Sequence, residues 1–315
     1  MVYSASQRRT TGNMVLFMGP AIVLLLLFFL APIVLDIVIA FSSMEQTLDL
    51  GEFTTKQFRK LVRPNDEALL GFQLRRQFYT ALVLTGTYVF FTLIFFNVGL
   101  ALLLALMTTA IPEKLGTFYR AVWLLPRMSP SVVYALLWHW VVTPTETGLM
   151  NQFLGFAGIA PINMKLDQPM LLIVLANGFI GASMRMIIFT SAIKSIPQHL
   201  FYAARADGAG AMSIVRHIIL PALRWPLSYI TVYQSLALLV SFEYIWLLMG
   251  PSRQTMTLAM LAYTKSIAPD IGGGQYAYGA AISLILIVVG IISALVMWRL
   301  SNMKQLLQRP KIAVQ

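Results

Sequence analysis

The 315-residue sequence contains no cysteine and few charged residues. Charged residues make up 11% of it, against roughly 25% in average soluble domains, while 58% of the residues are hydrophobic. A soluble protein of this composition would expose large apolar patches. The lack of cysteine excludes disulfides, thiolate metal sites and thiol nucleophiles. The composition therefore predicts a membrane protein and disfavours a soluble enzyme.

Acidic residues are scarce as well, since 12 Asp and Glu stand against 23 Lys and Arg, for a net charge of +11. In a membrane protein such an excess lies on cytoplasmic loops that face anionic lipid, so it does not require nucleic acid as a partner. His139, His199 and His217 do not have the spacing of metal ligands. We therefore expect membrane lipid as a partner, no nucleic acid, no metal site and no catalytic residues.

Six apolar stretches are long enough to cross a membrane, which takes about 20 residues. They cover roughly residues 14–42, 79–109, 119–142, 169–193, 226–249 and 278–299. With both termini inside, twelve basic residues fall on cytoplasmic segments and nine on external ones. This distribution predicts an all-α membrane protein with six transmembrane helices and cytoplasmic termini.

The chain divides accordingly into three parts. Residues 1–77 are expected to form an N-terminal cytoplasmic tail, the first transmembrane helix and an extracytoplasmic segment. Residues 78–300 form the transmembrane core, and 301–315 a cytoplasmic tail. Three segments are expected outside the membrane. Residues 43–78 are polar enough to form a short folded cap or a lateral helix, and residues 143–168 are predicted to be a loop with a short helix. Residues 250–277 are predicted to be a loop because of their glycines and Pro251.

The most informative segment lies between the fourth and fifth spans, at residues 194–225. Ser195 and Gln198 have the spacing of a capping box for a helix over about 196–206. Gly208 is suited to a left-handed helix end, and a second helix is expected over about 211–220. Alanines make the middle of this helix–turn–helix small-sided, so another protein could approach its backbone closely.

The same segment resembles the EAA loop of permease subunits in binding-protein-dependent ABC importers. Tyr202-Ala203-Ala204 is followed after three residues by Gly208, and after nine more by Ile218-Ile219-Leu220-Pro221. Every spacing of the family pattern is met, and Tyr202 replaces the usual Glu. Further resemblances, such as Gly148-Leu149-Met150-Asn151, extend over roughly residues 78–300 and are of the carbohydrate type, similar to maltose and glycerol-3-phosphate permeases.

The resemblance implies the type I ABC importer permease fold and a transport subunit in the inner membrane of a bacterium, without an ATPase site of its own. The partners it implies are a second, homologous permease subunit, two copies of an ATP-binding subunit and an extracytoplasmic solute-binding protein. ATP and Mg would bind the partner ATPase, and this chain would bind no cofactor. The implied coupling residues are Tyr202, Ala203, Ala204, Asp207, Gly208, Ala209, Leu220 and Pro221.

Polar and aromatic residues inside the predicted spans are candidates for the solute path, because charges there are costly and tend to be functional. The first candidate is Glu243, which we expect within the fifth span. It either contacts solute or pairs with Arg185 or with a partner subunit to hold helices together. Tyr244, Tyr233, Gln234, Arg185 and Asn177 complete the set. A carboxylate accepts hydrogen bonds from sugar hydroxyls and aromatic faces stack on sugar rings, so a sugar or sugar derivative is the expected solute. Arg127 lies near a span end and can snorkel.

Two other classes of function remain as alternatives. A stand-alone proton-coupled carrier would be expected to carry intramembrane acid pairs or an internal repeat, and neither is visible. An intramembrane enzyme would need a catalytic motif. The sequence contains no His/Asp cluster, no Gly-x-Ser-Gly motif and no His-Glu-x-x-His motif. Neither alternative accounts for the loop at 194–225.

Overall fold

The computed structural model describes residues 17–45, 49–62, 70–267 and 274–300. In these residues the chain is mostly helical, with one isolated antiparallel bridge between Ser42 and Phe53. The helix bounds are α1 Phe17–Ala40, α2 Lys56–Val62, α3 Leu70–Phe91 continued by π-helical Thr92–Leu100 and Ala101–Ala110, α4 Glu113–Met128, α5 Ser131–Val141, α6 Leu149–Phe156, α7 Met164–Asp167, α8 Pro169–Lys194, α9 Gln198–Ala206, α10 Ala211–Ala222 with π-helical Val215–Ile219, α11 Arg224–Leu239, α12 Glu243–Met249, α13 Leu258–Ser266 and α14 Tyr276–Leu300. The chain divides into two compact units.

One unit comprises residues 1–76 and 262–285. Its first helix, α1, is apolar apart from Asp36 and leaves nearly all of its side chains exposed within the chain, as expected for a helix in contact with lipid. After α1 the chain turns back through the Ser42–Phe53 bridge, where the rings of Phe41 and Phe53 stack 5.4 Å apart. The amide of Ala277 donates to the Met44 carbonyl at 3.1 Å and ties α14 to this turn. The predicted small folded element at 43–78 is therefore present in its described part.

The other unit comprises residues 77–261 and 286–315, and α8 lies at its centre. This helix packs against α3 and α4, and most of its residues are buried. Gly178 and Gly181 allow the close approach, because a Cβ on Gly178 would lie 2.3 Å from the Phe96 ring and one on Gly181 2.2 Å from Asn97 Oδ1. Small residues at such contacts are typical of helix packing in membranes.

The third predicted span, 119–142, is not one helix. It is divided between α4 and α5 at Ser129-Pro130, where Ser129 is extended with ψ 143°. A residue before proline is disfavoured in the helical region, and proline cannot donate the amide that would continue the ladder. Pro130 instead caps the start of α5. The proline in the sequence indicates this break, and the prediction of one continuous helix over 119–142 was wrong.

The fifth predicted span, 226–249, is also broken, since α11 and α12 meet at a bend of 52°. The interruption falls at Val240, Ser241 and Phe242, where the sequence has neither proline nor glycine. Ser241 instead accepts a hydrogen bond from Asn177 of α8. A tertiary contact therefore accompanies this break, which explains why local sequence rules did not reveal it.

Among the described residues four helices are long and apolar enough to cross a membrane, or five when α11 and α12 count as one bent span. The predicted short helix in 143–168 is confirmed by α6 and α7. The prediction that 250–277 is loop was wrong at α13, and residues 268–273 lie outside the described residues.

Candidate solute cavity and coupling loop

A cavity of about 530 Å³ lies within the unit that contains α8. Its walls come mainly from α8 and α11, with Arg127, Ser241 and Tyr244 from neighbouring segments. On α8 the lining residues recur every three or four positions, from Asn177 to Ile188, and α11 shows the same spacing from Tyr229 to Leu238. One face of each helix therefore meets the cavity.

Five of the six predicted path residues line this cavity: Asn177, Arg185, Tyr233, Gln234 and Tyr244. Glu243, the first candidate from the sequence, is not among the lining residues. It begins α12, is exposed, and accepts a hydrogen bond from the Ser131 hydroxyl. Because the bend precedes it, Glu243 lies at the start of the second helix of the broken segment and not on the wall of this cavity.

The alternative in which Glu243 pairs with Arg185 also fails in the described part of the chain. Arg185 donates from Nη1 to the Gly181 carbonyl of its own helix at 2.9 Å. The salt bridges found there belong to Lys60, Arg120 and Lys194. Glu243 and Arg185 therefore have different partners.

Asn177 connects three segments at the wall of the cavity. Its amide donates to the Tyr88 hydroxyl of α3 and to Ser241 Oγ, the latter at 3.3 Å. Tyr88 is fully buried, and its own hydroxyl lies 3.5 Å from Ser241 Oγ. This network satisfies buried polar groups that would otherwise be costly. Asn177 therefore shapes the cavity as well as lining it.

Gln234 stands apart from this network. Its side chain is 5% exposed, and Oε1 has no hydrogen-bond partner within the described residues. Buried side-chain acceptors are nearly always paired, so an unpaired one that lines a cavity requires an explanation. A donor from a bound solute would provide one.

An aromatic ladder on α11 was not anticipated as a unit. The rings of Trp225 and Tyr229 stack 5.7 Å apart, and those of Tyr229 and Tyr233 6.0 Å apart, each pair at 13°. Tyr229 and Tyr233 line the cavity. The spacing of four residues puts all three rings on one helix face, and this signal could have been read from the sequence.

The loop at 194–225 folds as two short helices, α9 and α10, joined at Asp207–Gly210. Gly208 has φ 79°, which confirms the left-handed helix end expected from the sequence. The Gly208 amide donates to the Arg205 carbonyl at 3.1 Å, and the Ala209 amide to Ala204 at 2.9 Å. These two bonds are the Schellman pattern of a helix end.

The beginning of α9 differs from the prediction. Pro197 is the residue that precedes the helix, so the helix starts at Gln198, and no side chain of the described residues caps it. Ser195 Oγ donates to the Ala192 carbonyl instead of forming a capping box. The predicted coupling residues from Tyr202 to Gly208 lie on an exposed or half-exposed surface, and Tyr202 is 63% exposed.

A polar cluster joins the base of this loop to α3 and α4. Arg120 is buried and donates to the Thr108 carbonyl at 3.0 Å and to Glu113 at 2.9 Å. Lys194, the last residue of α8, also donates to Glu113, at 2.5 Å. Its hydrogen bond lowers the pKa of the Glu113 carboxyl, with a further contribution from Thr117. The end of α8 is thereby tied to two neighbouring helices just before the loop begins.

Comparisons with known proteins agree with this arrangement. A family model described as "Binding-protein-dependent transport system inner membrane component" matches residues 97–302. The arabinooligosaccharides transport system permease protein AraP of Bacillus subtilis is 26% identical over 292 residues, which cover 91% of this chain and 88% of that protein. The trehalose/maltose transport system permease protein MalF of Thermococcus litoralis is 28% identical over 175 residues, covering 54% of this chain and 57% of that protein.

Among solved structures, a chain of a bacterial alginate ABC transporter in complex with an alginate pentasaccharide-bound periplasmic protein is similar, with a TM-score of 0.79. It is 22% identical, and the match covers 94% of this chain and 96% of that one. At that identity the likeness establishes the fold alone. The family match, in contrast, spans well over half of the sequence. The chain therefore belongs to the family of binding-protein-dependent transport system inner membrane components, and it is a permease subunit of an ATP-driven importer whose ATPase is a separate subunit.

Proposed function

We propose that this subunit forms one wall of the translocation path for a sugar or sugar derivative, and that the cavity between α8 and α11 is the part of the path that contacts the solute. The observation that carries the proposal is the pairing of aromatic faces with polar groups in one cavity. Tyr229 and Tyr233 offer ring faces, while Gln234 offers a buried acceptor that has no partner among the residues the structure describes. Sugars present both apolar ring faces and hydroxyl donors, so their chemistry matches this lining.

The relatives support the same solute class. AraP is named for arabinooligosaccharides and MalF for trehalose and maltose. An extracytoplasmic binding protein would deliver the solute, in line with the family description. Within the assembly, a second, homologous permease subunit would complete the path, since Tyr233 and Arg127 are exposed in the isolated chain.

Coupling to ATP hydrolysis is assigned to the exposed loop of α9 and α10, which would dock on one of two ATP-binding subunits. Tyr202, Ala203, Ala204, Asp207, Gly208 and Ala209 form the contact surface, and Leu220 and Pro221 lie where the chain returns towards α11. Lys194 and Arg120 would make the loop move with α8 and α4, because their shared bonds to Glu113 join these helices. ATP and Mg would bind only the ATPase.

The topology that fits this role has six crossings with both termini cytoplasmic, in a bacterial inner membrane. Four long helices and the bent pair α11–α12 account for five crossings. The sixth would be the broken segment at 119–142. Reporter fusions test this arrangement directly. A fusion after Asn163 should report the external side and one after Ala211 the cytoplasm; the reverse pattern would invert the topology.

Uptake by the complete importer tests the path. Gln234→Leu should reduce uptake of a labelled saccharide at least tenfold by removing a buried acceptor, while the complex still assembles. Glu243→Gln should have a much smaller effect, because that carboxylate accepts a hydrogen bond from Ser131 and Glu243 is not among the lining residues. Equal losses in both variants would refute this assignment of the path.

Energy coupling separates the proposal from a stand-alone carrier. Uptake should require the ATPase subunits and the binding protein, and it should continue when a protonophore collapses the proton gradient while ATP is maintained. Uptake by this chain alone, abolished by the protonophore, would favour a carrier.

A further inference from the structure

The cavity has an unbalanced charge. Two guanidinium groups line it, those of Arg127 and Arg185, and its other lining residues are uncharged. Carboxylates are thus absent from the residues that line this cavity. A charged group at membrane depth is costly unless it is paired or solvated. Arg185 is buried and none of the lining residues is a carboxylate, so an anion in the cavity would offset the cost of its charge.

Arg185 is the more constrained of the two. It is 7% exposed, and its hydrogen bond within the described chain is the one from Nη1 to the Gly181 carbonyl. A guanidinium carries five N–H donors in a planar fork that matches a carboxylate or a phosphate. One of these donors is hydrogen-bonded within the described chain, and Arg185 lines the cavity.

Arg127 reaches the same cavity from another element. It lies in the last turn of α4, next to the Ser129-Pro130 break, and its side chain is exposed. The break separates α4 from α5 and so ends α4 beside the cavity wall. Arg127 and Arg185 are 58 positions apart in the sequence, and the fold brings them to one lining.

We infer that the cavity takes an anionic saccharide, a sugar that carries a carboxylate or a phosphate, whose negative group is bound by Arg127 and Arg185. The faces of Tyr229 and Tyr233 would contact the sugar ring, and Gln234 Oε1 would accept a hydroxyl proton in a hydrogen bond. This inference rests on the proposed function and narrows its solute class. The competing source of negative charge is an acidic side chain of the second permease subunit.

Ligand binding to the complete importer complex in nanodiscs tests the inference without involving the binding protein. The probes are digalacturonate, its neutral counterpart galactobiose, galactose 6-phosphate and inorganic phosphate, each titrated while the thermal unfolding midpoint is recorded. A ligand that binds the native state raises this midpoint. We expect digalacturonate or galactose 6-phosphate to bind at least tenfold more tightly than galactobiose, and inorganic phosphate alone to bind weakly.

Three variants assign the effect to residues. Arg127→Gln and Arg185→Gln should each weaken binding of the anionic saccharide about tenfold or more, because each removes a charge-assisted pair, and leave binding of galactobiose unchanged. Arg185→Lys should restore part of the affinity. Arg253→Gln removes an exposed positive charge outside the lining and should bind as the wild type does.

Two results would overturn the inference. If galactobiose binds as tightly as digalacturonate and uptake of neutral sugars still depends on Gln234, the proposed function stands and the anionic class is wrong. If Arg127→Gln and Arg185→Gln release the second permease subunit on purification, the two arginines pair with that subunit's acidic groups instead. Failure of every saccharide to bind or to be taken up would count against the proposed function itself.

Discussion

The packed core around α8 and the exposed loop of α9 and α10 both depend on glycine, for opposite reasons. A Cβ on Gly181 would lie 2.2 Å from Asn97 Oδ1, a side chain from a distant part of the sequence. A Cβ on Gly208 would meet nothing within 4 Å, yet the backbone there has φ 79°. In the core, glycine is required because a neighbouring helix leaves no room for a side chain. In the loop, it is required because of the residue's own backbone conformation.

Polar contacts differ between the two regions in the same way. In the core, Asn177 bonds Tyr88 and Ser241, which belong to two other segments. In the loop, the bonds that shape the turn join residues three to five positions apart, such as Ala209 to Ala204. The core therefore depends on tertiary assembly, whereas the turn of the loop is held by local bonds and keeps its shape while exposed.

The largest effect is expected in the core, for Gly181→Leu. The new side chain would overlap Asn97, and overpacking of this kind costs about 3 kcal/mol. We expect little or no folded protein in the membrane, measured by protease resistance and recovery of the monodisperse complex. Gly86→Leu is the matched control, because Gly86 lies in α3 with nothing within 4 Å of its Cβ position. Equal yields of both variants would show that the close approach at Gly181 is unimportant.

The second effect concerns the loop. Gly208→Val places a β-branched residue at a positive φ, which costs about 1–2 kcal/mol locally, so the variant should remain folded in the membrane. Because the turn directs α10, we expect solute-stimulated ATP hydrolysis to fall more than tenfold. Gly210→Val is the control, since Gly210 is also exposed with open space but has an extended backbone with φ −71°. If both variants hydrolyse ATP as the wild type does, the assignment of the coupling loop is wrong.

A smaller effect is expected where the two regions join. Arg120→Met removes the donor to the Thr108 carbonyl and the partner of Glu113. The loss should be about 2 kcal/mol, typical of buried hydrogen bonds from a charged group. It would appear as a lower thermal midpoint of the purified complex, while Arg216→Met, an exposed change on α10, should shift the midpoint little. No difference between them would mean that the cluster adds no stability.

The smallest effect is a pH dependence of the same cluster. The Lys194 hydrogen bond lowers the pKa of Glu113 below its ordinary value of 4.5. The bond therefore contributes stability above pH 4.5, and this contribution is lost as the pH falls through the lower pKa of the folded state. Glu113→Gln should be slightly less stable than the wild type at pH 7, with the difference vanishing in acid. Glu146→Gln, an exposed change in the loop after α5, is the control and leaves the Lys194–Glu113 bond in place.

Much of the local structure could be predicted from the sequence, because its causes lie within a few residues. The long apolar runs predicted α1, α8 and α14, and the spacing around Gly208 predicted the helix–turn–helix and its left-handed turn. Pro130 also marks the break between α4 and α5 in the sequence, since the residue before a proline is disfavoured in a helix. At these places helix length, backbone conformation and proline chemistry determine the outcome without help from distant residues.

The sequence predicted five of the residues that line the cavity, and the tertiary structure decided that Glu243 does not line it and that Arg127 does. Glu243 was the strongest candidate in the sequence, yet the bend between α11 and α12 moves it to an exposed position beside Ser131. Arg127 was not among the solute-path candidates predicted from the sequence, yet it lines the cavity together with Arg185. The reason is physical: the bend has no proline or glycine and coincides with contacts from Asn177 and Tyr88, so it depends on residues that are far apart in the chain.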